Sequence, residues 1–161
     1  MALRNVVVEG DDILRKKARP VDEVNDRIRG ILDDMLETMH YHQGVGIAAP
    51  QVGILRRMFI VEPEPGDIIM LVNPVLEEAK GEQESEEGCL SIPGYAGKVK
   101  RPEYVRFSGL NEKGEPVTIE AEGFKAITLS HEYDHLEGVL YSDKADDMWE
   151  LDDSEGEEAE E

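Results

Sequence analysis

The run LSHEYDHLEG, residues 129–138, holds two histidines four positions apart with a glutamate directly after the first. On a helix of about 3.6 residues per turn, positions i and i+4 stack on one face, so His131 and His135 can aim imidazole nitrogens at one point. Glu132 points in a neighbouring direction, within reach of a water held at that point. This is the HExxH pattern of a catalytic metal site, in which the glutamate moves protons. A polar helix can carry the same spacing by chance, so the motif asks for a third ligand. Phe124, Ala126, Ile127, Leu129 and Leu136 supply the apolar background of a short buried helix, and Gly138 is placed to end it.

Three kinds of residue could complete the set. His40 and His42 fall at the polar end of a long helix, where exposure or local hydrogen bonding explains them without a metal. Carboxylates are too numerous to single one out. Cys89 is the one cysteine in the chain, and it lies in EGCLSIPG, where Gly88 allows a close backbone approach. A lone cysteine is more often a small buried residue. Against that, a thiolate with two imidazoles makes a tetrahedral site that leaves one position for water.

The elements that must position these groups follow from periodicity. Val24, Ile28, Ile31, Leu32, Met35, Leu36 and Met39 recur at three- and four-residue steps, which predicts a long amphipathic N-terminal helix over 22–43, closed by Gly44. From Met58 the pattern shifts to short β-rich runs, MFIV, IIMLVNP, YVRFSGL and PVTIEAEG, divided by Pro, Gly and NEKG turn chemistry. The order of helix, strands and HExxH helix predicts an α+β fold, with antiparallel sheets packed around a C-terminal metal-binding helix. No internal repeat is present.

With 161 residues, the chain has the size of one domain with a real core. A single cysteine excludes an internal disulfide. No signal-like run and no stretch near the roughly 18–20 apolar residues of a membrane span is present, so a cytoplasmic protein without membrane contact is expected. The net charge is −20, and residues 146–161 carry ten acidic residues and no basic one. Half of the charge is thus in the tail DDMWELDDSEGEEAEE, whose large apolar residues are only Met148, Trp149 and Leu151. We expect one catalytic domain over 1–145 and a disordered, solubilising tail over 146–161, with Trp149 touching the domain. The acidic body argues against nucleic-acid binding, which needs clustered Lys and Arg.

GVGIAAPQ at 44–51, EGCLS at 87–91 and HEYDHL at 131–136 resemble, in order and spacing, the three motifs of the peptide deformylases. DDILRKKARPV resembles that family's N-terminal segment, and the likeness runs to about Lys144. The resemblance implies hydrolytic removal of the formyl group from the N-terminal formylmethionine of new polypeptides. It implies a divalent ion, most often Fe2+ with Zn2+, Ni2+ or Co2+ as alternatives, held by Cys89, His131 and His135. Glu132 would serve as general base and then acid, while the Gln51 side-chain amide and the Leu90 backbone N–H steady the oxyanion. Substrate would pair with the main chain at Val45, Gly46 and Gly88, its methionine entering a pocket of Val45, Ile127 and the His131 ring. A tight site for the small formyl hydrogen would exclude acetyl groups.

Other readings are weaker. GVGIAAPQ is glycine-rich, but it lacks the spacing and the terminal Lys and Ser/Thr of a phosphate loop. Asp134 can support the metal site by pairing with a basic residue such as Arg101. Ser130 stands where the family commonly has glutamine, and the acidic tail replaces a basic C-terminal helix that some members use at the ribosome. Two rivals are a zinc peptidase, which Cys89 and the short chain disfavour, and a silent binder of metal and formyl-peptide, which would have no need of Glu132.

Overall fold

The computed structural model describes residues 2–151. Two antiparallel sheets frame the molecule. Strands β1 (Gly46–Ala48), β2 (Met58–Val61), β3 (Ile69–Lys80), β6 (Tyr104–Leu110) and β7 (Pro116–Glu122) form one, in the order β1-β2-β3-β6-β7. Strands β4 (Gln83–Cys89), β5 (Ile92–Arg101) and β8 (Ala145–Glu150) form the other, in the order β4-β5-β8. Helix α1 (Asp26–Tyr41) precedes the sheets, and α2 (Gly123–Leu136) and the short α3 (Tyr141–Lys144) follow β7. No described helix is long and apolar enough to cross a membrane.

The α1 helix begins four residues later than its apolar spacing suggests. The Asn25 side chain accepts from the Ile28 N–H at 3.0 Å and caps the first turn. Before it, Val21 is held outside any helix, because Asn73 of β3 accepts from its N–H and donates to its carbonyl, each at 2.8 Å. Side-chain caps are tertiary choices that a periodicity search does not see. Ile31, Leu32, Met35 and Met39 then pack against Ile47, Met58, Ile60 and Val72 on one face of the larger sheet.

The α2 helix lies against β1, β2, β6 and β7 of the larger sheet. Ala126, Leu129 and Leu136 fill the core between Phe59, Val61, Leu71, Val105 and Phe107. This burial fixes the rotation of α2, and with it the direction of the histidines. The N-terminal segment laces the site-bearing elements together: Val7 N–H donates to the Gln51 carbonyl, Glu9 N–H to that of Ser91 and Ala18 N–H to that of Leu136. Gly138 follows the helix with φ +75°, and a Cβ there would meet the Arg15 carbonyl oxygen at 2.6 Å.

Two strands lie outside the β-rich runs picked out from sequence. The acidic run 83–89 is a strand, in which Glu84 and Glu86 face Lys100 and Lys98 across the β4–β5 pair. Cross-strand charge pairing offsets its low β propensity. The tail does not begin at Asp146, since 145–150 forms β8 on β5, with Trp149 opposite Ala96 and Asp147 opposite Lys98. Backbone pairing on an open sheet edge needs little apolar surface. Residues 152–161 of the expected tail lie outside the described residues.

Gly138→Ala combines a left-handed backbone with a backbone clash, so it should lower unfolding stability by about 2–4 kcal/mol. Denaturant melts against the unaltered chain measure this, and a change below about 1 kcal/mol would contradict the strap–helix contact.

Candidate metal centre

The α2 helix and the β4–β5 hairpin meet at three potential ligand atoms. Cys89 Sγ and one nitrogen from each of His131 and His135 lie within 4.8 Å of one another. Cys89 Sγ is 3.4 Å from His135 Nε2. Two ligand atoms around an ion at roughly 2.0–2.3 Å would sit about 3.6 Å apart, so one thiolate and two imidazoles fit a tetrahedral divalent ion. Cys89 ends β4, and a two-residue turn of Leu90 and Ser91 leads into β5, with Cys89 opposite Ile92. The hairpin therefore delivers the thiol from the smaller sheet to a helix seated on the larger one.

A buried chain of charges holds this junction. Glu87 Oε1 is 2.7 Å from His131 Nδ1, which leaves Nε2 free to serve as a ligand. Arg101 donates to both oxygens of Glu87 at 2.8 and 2.7 Å, and to Asp134 Oδ2 at 2.6 Å. Lys144 Nζ lies 3.0 Å from the same Asp134 oxygen. Arg101 is 2% exposed and Glu87 6%, so these charges are stable only as a set. Burial pushes the Glu87 carboxyl upward, but hydrogen bonds from Arg101 and His131 outweigh it and hold the carboxyl at about 2. Burial also opposes charge on His131, yet Cys89, Glu87 and Glu132 raise it well above the ordinary histidine range. His135 is pushed well below that range by burial and by the charges of His131 and Arg101. Surroundings that stabilise a proton on His131 are surroundings that stabilise a cation.

Glu132 stands beside this cluster, 4% exposed, and its Oε1 has no hydrogen-bond partner. Burial raises its carboxyl to about 7, with the His131 charge opposing. Gly46 makes the space for it: a Cβ at Gly46 would lie 2.5 Å from Glu132 Oε2. Gln51, in the turn after β1, is oriented unambiguously. Its Oε1 accepts from the Ala48 N–H at 2.9 Å, so its Nε2 faces Cys89 Sγ at 3.5 Å and Ser91 Oγ at 3.2 Å.

A groove of about 430 Å³ opens over these groups. Cys89, His131, Glu132, Gln51, Leu90, Val45, Gly46, Gly88 and Ile127, singled out from sequence, all line it, while His135 lies beneath, 1% exposed. The Arg101–Asp134 pair is present as reasoned. At Gly88 a Cβ would meet only the Tyr95 carbonyl oxygen at 3.6 Å, an ordinary contact, so the fold itself does not demand glycine there. His40 contacts Glu62 rather than the cluster. Sequence reasoning gave Glu87 no role, although two-residue alternation along a strand puts it on the same face as Cys89. It also missed Tyr141, whose ring stacks on His131 with centroids 6.0 Å apart.

Glu87→Gln keeps the shape but removes the charge that both Arg101 and His131 require. Metal affinity should fall about 10- to 100-fold, read by chelator competition. Asp134→Ala should cost less, because it lies one link further from the ligand. Equal affinity in Glu87→Gln and the unaltered chain would remove Glu87 from the metal site.

Comparison with known proteins agrees with this arrangement. The sequence model described as polypeptide deformylase matches residues 3–150. Peptide deformylase 2 of Clostridium acetobutylicum is 53% identical over 144 residues, covering 89% of this chain and 95% of that one. The crystal structure of the peptide deformylase of Thermotoga maritima superposes with a TM-score of 0.88 at 36% identity, covering 91% of this chain and 100% of that one. A class I type b peptide deformylase of Acinetobacter baumannii, solved with Met-Ala-Ser bound, gives 0.84 at 37% identity over 88% of this chain and 98% of that one. With the family match spanning nearly all the described residues, this chain belongs to the polypeptide deformylase family.

Proposed function

We propose that this chain removes the formyl group from the N-terminal formylmethionine of newly made polypeptides, releasing formate and a free amine. One observation carries the reading: a Cys–His–His ligand set within 4.8 Å, flanked by a buried carboxylate without a partner and an amide turned toward the thiol. A divalent ion on Cys89, His131 and His135, Fe2+ by preference with Zn2+, Ni2+ or Co2+ able to replace it, supplies Lewis acidity that makes water nucleophilic near neutral pH.

The remaining work falls to the protein. Glu132 takes a proton from the attacking water. It returns that proton to the nitrogen as the C–N bond breaks, and a carboxyl near neutrality suits both directions. Gln51 Nε2 and the Leu90 N–H donate to the oxygen on which charge develops. Gln51 is pre-set for this by the Ala48 N–H, so no reorientation is needed in the transition state. The substrate backbone lies along Val45, Gly46 and Gly88, and β1 and β4 suit this because each is the outer strand of its sheet. The methionine side chain enters between Val45, Ile127 and the His131 ring. Met-Ala-Ser on the Acinetobacter relative supports a peptide in this groove. The same reading places the protein in the cytoplasm with nascent chains as partners and no direct nucleic-acid contact. Residues 1–145 then act as one catalytic domain to which β8 adds a strand.

The deciding assay is amine release from formyl-Met-Ala-Ser by anaerobically prepared protein loaded with iron(II) or nickel. Glu132→Ala should be slower by about 10²- to 10⁴-fold with its metal retained. No release by the unaltered, metal-loaded protein would leave a silent binder, to be followed by formyl-peptide affinity.

Gly46→Ala tests the position of that carboxylate rather than its presence. The added methyl meets the buried Glu132 carboxylate and its Cγ, so the side chain must shift and turnover should fall on the order of 10²-fold in protein that melts as a folded chain. Retained turnover would mean that Glu132 can act from a displaced rotamer.

A further inference from the structure

The β8 strand brings a residue of the acidic C-terminal run into the substrate groove. Leu151, directly after β8, donates its N–H to the Gly94 carbonyl at 2.8 Å and lines the same groove as Val45, Tyr95 and Phe124. It is 42% exposed, and those three neighbours are between 44% and 53% exposed. Apolar side chains gathered at one rim and left half in water gain from a ligand that covers them. The seat of β8 is close-fitting, since a Cβ on Gly97 of β5 would lie 3.0 Å from the Asp147 carbonyl oxygen and 3.1 Å from the Met148 side chain.

Register places Leu151 relative to the reacting centre. Glu150 is opposite Tyr95, so Leu151 sits level with Gly94, two residues along β5 from Ile92, the partner of Cys89. Leu151 and Cys89 line the same groove, so an extended peptide with its formyl carbon at the Cys89 end reaches Leu151 with the residues that follow its formylmethionine.

We propose that Leu151, carried by β8, is a specificity-determining residue that packs on apolar side chains following the substrate's formylmethionine. The proposal rests on the deformylase reading and adds to it a wall of the groove built from the chain's C-terminal run. The acidic residues beyond Leu151 are not required for it.

The test compares kcat and KM on formyl-Met-Leu-Leu and formyl-Met-Ala-Ser. Four proteins are used: the full chain, Leu151→Ser, a chain ending after Leu151 and a chain ending after Glu150. The full chain should favour formyl-Met-Leu-Leu through a lower KM. That preference should shrink roughly three- to tenfold in Leu151→Ser and in the chain ending after Glu150. The change on formyl-Met-Ala-Ser should be the smaller of the two in both, and the chain ending after Leu151 should keep the full preference. An unchanged ratio in Leu151→Ser overturns the proposal, as does an equal loss in the chain ending after Leu151. Loss of both activities in Leu151→Ser, with the full chain active, marks a structural role and overturns it too. A full chain that turns over neither peptide overturns the deformylase reading instead.

Discussion

Arg101 is a cation with almost no solvent contact, held between Glu87 and Asp134, and the metal centre depends on that arrangement. It comes from the end of β5, Glu87 from β4 and Asp134 from α2, so one guanidinium ties both strands of the hairpin to the helix. Its planar fork grips both oxygens of Glu87 and still reaches Asp134, a bidentate geometry that a lysine ammonium does not reproduce. The hold is conditional, because removing any member leaves a buried charge unpaired, at a typical cost of about 3–5 kcal/mol. The ligand geometry is thus as stable as the charge set behind it. Glu87 passes that order on to His131, fixing which nitrogen is free to bind.

The groove is a consequence of how two sheets with open edges meet across one helix. β1 and β4 are both outer strands, and each ends close to a reacting group, β1 beside Glu132 and β4 on Cys89. An exposed strand edge invites pairing with another chain. Here the edges line a cleft, so the natural guest is an extended peptide rather than a second folded copy. The absence of a side chain at Gly46 allows the Glu132 carboxylate to lie against the backbone the substrate would use. In the proposed reaction, recognition and proton transfer would share one wall.

Much of the site was legible because its chemistry is local. His131, Glu132 and His135 are neighbours on one helix, and their spacing alone sets their directions. Cys89 was legible as a candidate, and its place as third ligand came through the resemblance rather than the spacing. What stayed hidden depends on contacts distant in sequence. Asn73, 52 residues from Val21, decides where α1 cannot begin. Glu84 and Glu86 look like a solvated acidic connector until Lys98 and Lys100 lie opposite them. The same applies to β8, whose composition reads as disorder but whose backbone finds the free edge of β5. Composition measures what a segment can bury, and an edge strand needs to bury little.

Glu132 shows how stability and reactivity are divided in this site. An ionised, unpartnered carboxylate is costly to bury, and pairing with Arg101 would relieve that cost. The guanidinium is instead occupied by Glu87 and Asp134, and Glu132 Oε1 has no partner. Burial raises the Glu132 carboxyl to about 7, which suits the general base and acid proposed for it and which an ion-paired carboxylate lacks. The contrast between a carboxyl held at about 2 at Glu87 and one raised to about 7 at Glu132 follows from which carboxylate Arg101 reaches, and it suits the proton-transfer role proposed for Glu132.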